Sequence, residues 1–154
     1  GLRGRDNART PMQWSDSPNA GFTVGTPWIK VNPNYKEINA ESQISDKSSV
    51  FHYYKKLIQL RKNYPIIVYG DFHPLYEESE KNYCYIRELG KERLLVLCSF
   101  SEEEQLVELP DEFFGRKGIT LISNYDKLID LNNCIEDEKT VLLKAYEARV
   151  IYYN

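Results

Sequence analysis

The stretch YCYIRELGKERLLVLCSF, residues 83–100, decides the fold class of the second half of the chain. It holds two runs of aromatic and aliphatic residues, 83–87 and 93–100, which are separated by the turn-forming residues Leu89-Gly90-Lys91. Apolar runs that are bounded by turn residues are typical of antiparallel strands joined in a hairpin. The same spacing continues in both directions and predicts seven strands, at residues 66–69, 83–87, 93–100, 105–109, 118–123, 140–143 and 148–153. Short strands at this spacing predict an antiparallel β-sandwich from residue 65 onward.

The first forty residues differ from the sandwich because proline and glycine interrupt every stretch that could form a helix. They also carry many large apolar side chains, so we expect an ordered loop that packs against something rather than a solvated linker. The apolar residues are Met12, Trp14, Phe22, Trp28, Ile29, Val31 and Tyr35. Beyond this loop, Asn39 is predicted to cap a short helical turn at 40–44. Asp46 or Ser48 is predicted to cap a longer helix that ends before Pro65.

Composition narrows the classes of function. The 154 residues include 20 Lys and Arg against 23 Asp and Glu, and the net charge of −3 gives no basic footprint for nucleic acid. No apolar run approaches the roughly 20 residues that span a bilayer, so no membrane partner is expected. The only methionine is Met12 and the chain opens on Gly1, which indicates a piece of a longer protein. The chain is also shorter than the about 250 residues of a complete (β/α)₈ barrel.

The cysteines and the acidic run predict no site. Cys84, Cys98 and Cys134 form no C-x-x-C pair, and His52 and His73 lack the spacing of metal ligands. We therefore expect reduced, buried thiols, no metal site and a reducing cytoplasm. The three glutamates at 102–104 are expected to form a solvated hairpin tip.

The segment RDNARTPMQW, residues 5–14, is the most unusual in the chain. It combines two arginines, a carboxylate, two amides and an indole, a set that suits sugar recognition by planar donors and an aromatic face. A structural interpretation stays open at this level, in which Arg5 or Arg9 pairs with Asp6 to fix the loop and Trp14 fills a core.

This segment and several others resemble the oligo-1,6-glucosidase branch of the α-amylase superfamily. The resemblance covers essentially the whole chain, strongly to about residue 70 and loosely through the sandwich. It rests on RDNARTPMQW (5–14), NAGFT (19–23), PW (27–28), VNPNYKEIN (31–39), SVFHYYKKLIQLRK (49–62) and LKAYEA (143–148).

The resemblance implies an α+β chain in which residues 1–64 are the last loop and helix of a catalytic barrel and residues 65–154 are the C-terminal antiparallel β-sandwich. It implies no cofactor. The family's retaining mechanism uses an aspartate nucleophile, a glutamate acid/base and a second aspartate, all carried by motifs that are absent here. Asp6, Asp16 and Glu37 are the only carboxylates in the first forty residues. Asp16 is expected to cap a turn and Glu37 to lie at a helix entry, so no catalytic residue is assigned and the chain alone is predicted to be inactive.

One substrate-binding residue is carried over from the family. Arg5 resembles the arginine that contacts the non-reducing glucose beside the nucleophile. Arg9 is expected to hold the loop, Trp14 and Trp28 to pack rather than stack on sugar, and His52 to lie outside the catalytic pocket.

The resemblance leaves several parent enzymes open. An exo-acting oligo-1,6-glucosidase that hydrolyses short isomaltose-type sugars is the simplest. Trehalose-6-phosphate hydrolase, glucan 1,6-α-glucosidase and sucrose isomerase share the motif. A free-standing carbohydrate-binding β-sandwich with no enzymatic parent is the alternative from another class. An oligosaccharide substrate is the partner expected of the intact parent. In the chain alone, residues 11–35 are expected to expose aromatic surface or to bury it against a second copy.

Overall fold

The computed structural model describes residues 9–125, 134–135 and 139–154. Its contacts divide the chain into two compact units, Gly1–Lys55 and Lys56–Asn154. Within the described ranges, no helix is long and apolar enough to cross a membrane. The longest helix, α2, has 14 residues at Val50–Asn63 and begins in the first unit and ends in the second.

The first unit is built from turns and short helices, as the prolines and glycines predict. A tight turn lies at Pro18–Gly21 and a 3₁₀ helix at Pro33–Lys36, followed by α1 at Ala40–Ser45 and the start of α2. The predicted cap of α1 is confirmed, because the Asn39 side chain accepts a hydrogen bond from the Ser42 amide at 2.9 Å.

Neither predicted cap of α2, Asp46 or Ser48, lies directly before the helix. Ser49 precedes the helix, and its hydroxyl accepts a hydrogen bond from the His52 amide at 3.5 Å. Asp46 instead closes a turn, since its carboxylate accepts from the amide and hydroxyl of Ser48 at 2.9 and 2.7 Å. These hydrogen bonds lower the pKa of Asp46 because they favour the charged carboxylate.

The second unit is an antiparallel β-sandwich, which confirms the predicted fold class. Its strands are β1 Asp71–Leu75, β2 Asn82–Leu89, β3 Glu92–Ser99, β4 Gln105–Glu108, β5 Gly118–Ser123, β6 Cys134–Ile135, β7 Thr140–Leu143 and β8 Ala148–Tyr153. One sheet has six strands in the order β1-β2-β3-β8-β5-β6, and the other pairs β4 with β7.

Both faces of the six-stranded sheet are covered at β3. Leu95 and Leu97 point into the core between the two sheets, where they join residues of β4, β7 and β8. Leu94 and Val96 point to the opposite face, where they pack in a cluster with Ile66. Burial on both faces explains why residues 94–97 are uniformly apolar instead of alternating with polar residues.

The structure corrects one local prediction and adds two strands that were not predicted. Residues 66–69, predicted as a strand, form the one-turn helix α3 at Ile66–Tyr69, because Ile66 is fully buried under the sheet and tertiary packing outweighs β-propensity. Strand β1 was not predicted because it contains Pro74, which a sheet tolerates on an edge strand. The two-residue strand β6 carries too short a pattern to be recognised.

Gly118 at the start of β5 provides a test of packing in the sandwich. A Cβ atom there would lie 2.6 Å from Cε1 of the buried Tyr153 ring and 2.8 Å from Cγ2 of Ile151. We expect Gly118→Ala to lower the free energy of unfolding by about 1 to 3 kcal/mol, measured by urea denaturation. Gly25→Ala is the matched control, because a Cβ at Gly25 meets its nearest atom at 3.8 Å. Equal stability of the two variants would contradict the prediction.

Candidate functional site

Arg5, the one residue predicted to bind substrate, lies outside the described residues, and so does Asp6. Its role therefore stays a prediction. The described part of its motif begins at Arg9 and ends at Trp14, in the first unit.

The end of the motif is held through its backbone and one amide side chain. The carbonyls of Gln13 and Trp14 accept hydrogen bonds from the amides of Ala40 and Glu41 at 2.9 and 3.0 Å, at the start of α1. The Gln13 side chain donates to Asn34 Oδ1 at 3.0 Å and also to the carbonyl of Ile38. These bonds fix residues 13 and 14 to the first turn of a helix, so the motif has a defined path through the unit.

A turn with left-handed backbone conformation also holds the motif. Asn19, Ala20 and Gly21 have φ angles of 54°, 58° and 65°, and the Ala20 side chain is fully buried. The carbonyl of Ala20 accepts from the amides of Trp14 and Ser15 at 2.9 and 3.2 Å, and the Asn19 side chain donates to the carbonyls of Thr23 and Gly25 at 3.2 and 3.0 Å. Left-handed conformations cost free energy for residues other than glycine, and such strain concentrates where a loop must hold a set geometry.

Two apolar cavities flank residues 10–12. The larger, of about 610 Å³, is lined by Thr10–Gln13 together with residues of α1 and α2, among them Val50 and Phe51. The smaller, of about 250 Å³, lies between residues 9–12 and Phe22, Pro27, Trp28 and Ile29. Trp14 and Trp28 are 55% and 89% exposed in this chain, and the expectation that they pack rather than stack on sugar in the intact parent stays a prediction. The predicted exposure of aromatic surface in residues 11–35 is confirmed; self-association is not tested and stays a prediction.

The loop carboxylates that the structure describes have the surroundings of structural residues rather than of catalytic ones. Asp16 and Glu37 are both exposed. The Lys36 ammonium donates to the backbone carbonyl of Asp16 at 2.9 Å, which ties the turn to the 3₁₀ helix. No group of three or more histidine, cysteine, aspartate or glutamate side chains in the described ranges could hold a metal ion.

The remaining titratable candidates also have structural partners. The Nε2 atom of His52 lies 2.9 Å from the carbonyl of Ile44 and so links α2 to the end of α1. Burial raises the pKa values of the free thiols of Cys84 and Cys98, which disfavours the reactive thiolate. Cys84 is buried as expected and Cys98 is half-buried, whereas the side chain of Cys134 lies outside the description. The three glutamates at 102–104 are exposed as predicted, but they do not form a hairpin tip, because they connect β3 to β4 of the other sheet.

The structure adds supporting residues that sequence reasoning missed. Gln13, Asn19 and Asn34 make the side-chain hydrogen bonds that hold the loop. Their only signal in the sequence was membership of the quoted motifs, because each contact joins residues whose proximity depends on the turns between them.

The family comparisons divide the chain close to the start of β1 at Asp71. Residues 2–70 match the alpha amylase catalytic domain, and residues 72–149 match the maltogenic amylase C-terminal domain. The chain belongs to the α-amylase superfamily.

Within this superfamily, comparison with individual relatives groups the chain with the oligo-1,6-glucosidase-like α-glucosidases. It is 55% identical to the oligo-1,6-glucosidase of Parageobacillus thermoglucosidasius over 148 residues, and 50% identical to that of Bacillus cereus over 149. These alignments cover 96% and 97% of this chain but 25% and 26% of the relatives, so the chain spans about a quarter of their length. A crystal structure of Bacillus licheniformis trehalose-6-phosphate hydrolase matches with a TM-score of 0.86 at 42% identity, over 97% of this chain and 26% of that one.

Proposed function

We propose that the chain is the C-terminal part of a retaining exo-α-glucosidase of the oligo-1,6-glucosidase type. Residues 1–64 complete its catalytic barrel and residues 65–154 form the sandwich behind it. The observation that carries this proposal is the 55% identity to an oligo-1,6-glucosidase over 96% of the chain. The catalytic carboxylates belong to the upstream barrel, and the substrates are short isomaltose-type sugars in the cytoplasm.

The surface of the first unit supports this proposal. Met12, Trp14, Trp28 and Phe51 are all at least 43% exposed, and Met12, Trp28 and Phe51 line the two cavities beside the motif. Clustered exposed apolar side chains mark a surface that another part of a protein covers. The upstream barrel is the proposed occupant, because the matched relatives are about four times as long as this chain.

The experiment is to express the whole reading frame that contains this sequence and to assay it on isomaltose. We expect hydrolysis from the non-reducing end with α-glucose as the first anomer released, followed by NMR, whereas the 154-residue chain alone gives no turnover. First release of β-glucose, or no activity on any α-glucoside, would contradict the proposal. Only the absence of activity would favour the non-catalytic sandwich, because release of β-glucose would still indicate a hydrolase, one with an inverting mechanism.

A trehalose-6-phosphate hydrolase is the second candidate for the parent. The chain is 46% identical to the Bacillus subtilis enzyme of that name over 150 residues, which is close to the values for the oligo-1,6-glucosidases. Comparing kcat/KM for isomaltose and trehalose 6-phosphate in the same full-length preparation decides between them. Glucan 1,6-α-glucosidase activity would appear as a preference for longer isomalto-oligosaccharides.

Arg5 in the full-length enzyme is proposed to donate hydrogen bonds to a glucose hydroxyl. A charge-assisted hydrogen bond contributes about 1.5 to 3 kcal/mol, so Arg5→Ala should lower kcat/KM by about 10- to 150-fold. Arg5→Lys should restore little, because an ammonium does not reproduce the planar donor pair.

The melting temperature separates binding from bracing of the loop. If Arg5 contacts substrate, kcat/KM falls while Tm stays close to that of the wild type. A parallel fall of both quantities would assign Arg5 to loop structure, and near-wild-type kinetics in both variants would remove it from the substrate site.

A further inference from the structure

A cavity on the sandwich has the chemistry of a binding site and plays no part in the proposed catalysis. It has a volume of about 280 Å³ and lies where the end of β4 meets the start of β7. Three segments line it: Glu108–Pro110 after β4, the 3₁₀ turn with Asp111 and Phe114, and the pair Lys139 and Thr140. Its volume lies just below the about 300 to 1,000 Å³ of typical ligand pockets, so it suits a small ligand.

The cavity is held by backbone contacts. The Leu109 amide donates to the carbonyl of Lys139 at 2.7 Å, and the Phe113 and Phe114 amides donate to the carbonyls of Pro110 and Asp111 at 3.0 and 3.1 Å. On a neighbouring segment, the Tyr76 hydroxyl donates to the carbonyl of Glu108. A preformed wall of this kind reduces the ordering cost of binding a ligand.

Two adjacent phenylalanines have opposite environments. Phe113 is 2% exposed and packs on Tyr153 with ring centroids 4.7 Å apart, so it anchors the turn in the core. Phe114 is 53% exposed in the cavity, where the Lys139 ammonium lies 5.2 Å from its ring centroid. The core contact of the turn is made by Phe113, whereas more than half of the Phe114 side chain is exposed and accessible to a ligand.

The polar groups around Phe114 select the class of ligand. Glu108 and Asp111 are exposed carboxylates that accept hydrogen bonds, whereas Lys139 donates and the Thr140 hydroxyl does both. A neutral sugar offers hydroxyls that donate and accept, and an apolar face that covers an aromatic ring. The cavity is lined by two carboxylates and one ammonium, so its net negative charge disfavours binding of an anion. Phosphorylated sugars therefore do not fit.

We propose that this cavity is an accessory site for a neutral gluco-oligosaccharide, distinct from the catalytic pocket of the proposed parent. The sugar ring stacks on Phe114, with Glu108 and Asp111 accepting from its hydroxyls. The Lys139 ammonium moves from the ring face to a hydroxyl when sugar binds.

The test is a titration of the 154-residue chain with isomaltotriose, followed through its assigned amide NMR signals. We expect saturable shifts at residues 108–114 and 139–140, with millimolar affinity. Phe114→Ala should weaken binding by about tenfold or more, and Asp111→Asn should weaken it while preserving the shape of the side chain. Phe100→Ala is the control, because Phe100 is an exposed aromatic residue of the same unit that does not line the cavity.

Three results would overturn this proposal. They are the absence of saturable shifts at these amides, undiminished binding by a folded Phe114→Ala variant, and equally tight binding of glucose 6-phosphate at the same amides. None of these depends on the activity of the full-length protein, so the accessory site and the proposed function fail independently.

Discussion

Replacing Glu147 by alanine should lower the free energy of unfolding by about 3 to 5 kcal/mol, because it removes one partner of a buried ion pair. Glu147 is fully buried, and its Oε1 atom accepts from Arg149 Nε at 2.7 Å and from the Ser123 hydroxyl at 3.1 Å. Its Oε2 atom accepts from the Lys144 amide at 2.9 Å. The Arg149 side chain is only 11% exposed, so its guanidinium would keep its charge without a carboxylate beside it.

Urea denaturation of three variants measures this effect. Glu103→Ala is the control, since the Glu103 side chain is 82% exposed and lies 4.0 Å from Lys81; its cost should stay within about 0.5 kcal/mol. Glu147→Gln should fall between the two because an amide oxygen still accepts from Ser123 or Lys144. If Glu147→Ala lowers the free energy of unfolding by less than about 1 kcal/mol, the Arg149 guanidinium is hydrated by solvent in place of the carboxylate.

Replacing Leu95 by alanine should cost about 2 to 5 kcal/mol, because it leaves a cavity at the centre of the sandwich. Leu95 is fully buried, lies opposite Ile86 on β2 and Ile151 on β8, and shares their core cluster. Neighbouring side chains can fill little of this cavity, because Ile86 and Ile151 are strand residues held in register.

The control for Leu95 is another leucine in a strand of the same unit. Leu106 on β4 is 66% exposed, so Leu106→Ala loses little buried surface and should change stability by less than about 0.5 kcal/mol. Equal losses for the two leucines in urea denaturation would show that the core between the sheets is not the main source of stability.

Much of the fold could be predicted because the pattern of the strands is local. The run at 93–100 and its turn at Gly90 identify β2 and β3 from composition alone. The uniform burial of its central residues could not be predicted, since it depends on Ile66 reaching the far face of the sheet. The same contact explains the error at 66–69, where β-branched residues predicted a strand and packing selects a helix.

The candidate site could also be predicted only in part. The motif at 5–14 indicates that the loop is functional, but the role of Arg5 rests on resemblance to a family and not on an observed contact. The cavity beside Phe114 could not be predicted, because its walls come from residues about thirty positions apart that meet only through the pairing of Glu108 with Thr140. Composition around Phe114 alone offers no signal for a ligand.

The position of β8 constrains the order in which the protein can assemble during synthesis. Residues 148–153 lie between β3 and β5, so the six-stranded sheet stays divided until they have left the ribosome. The β1-β2-β3 meander can form early, but its inner edge then waits unpaired for the last strand. An exposed strand edge recruits other chains, so a nascent chain that stalls before residue 148 presents an edge prone to aggregation.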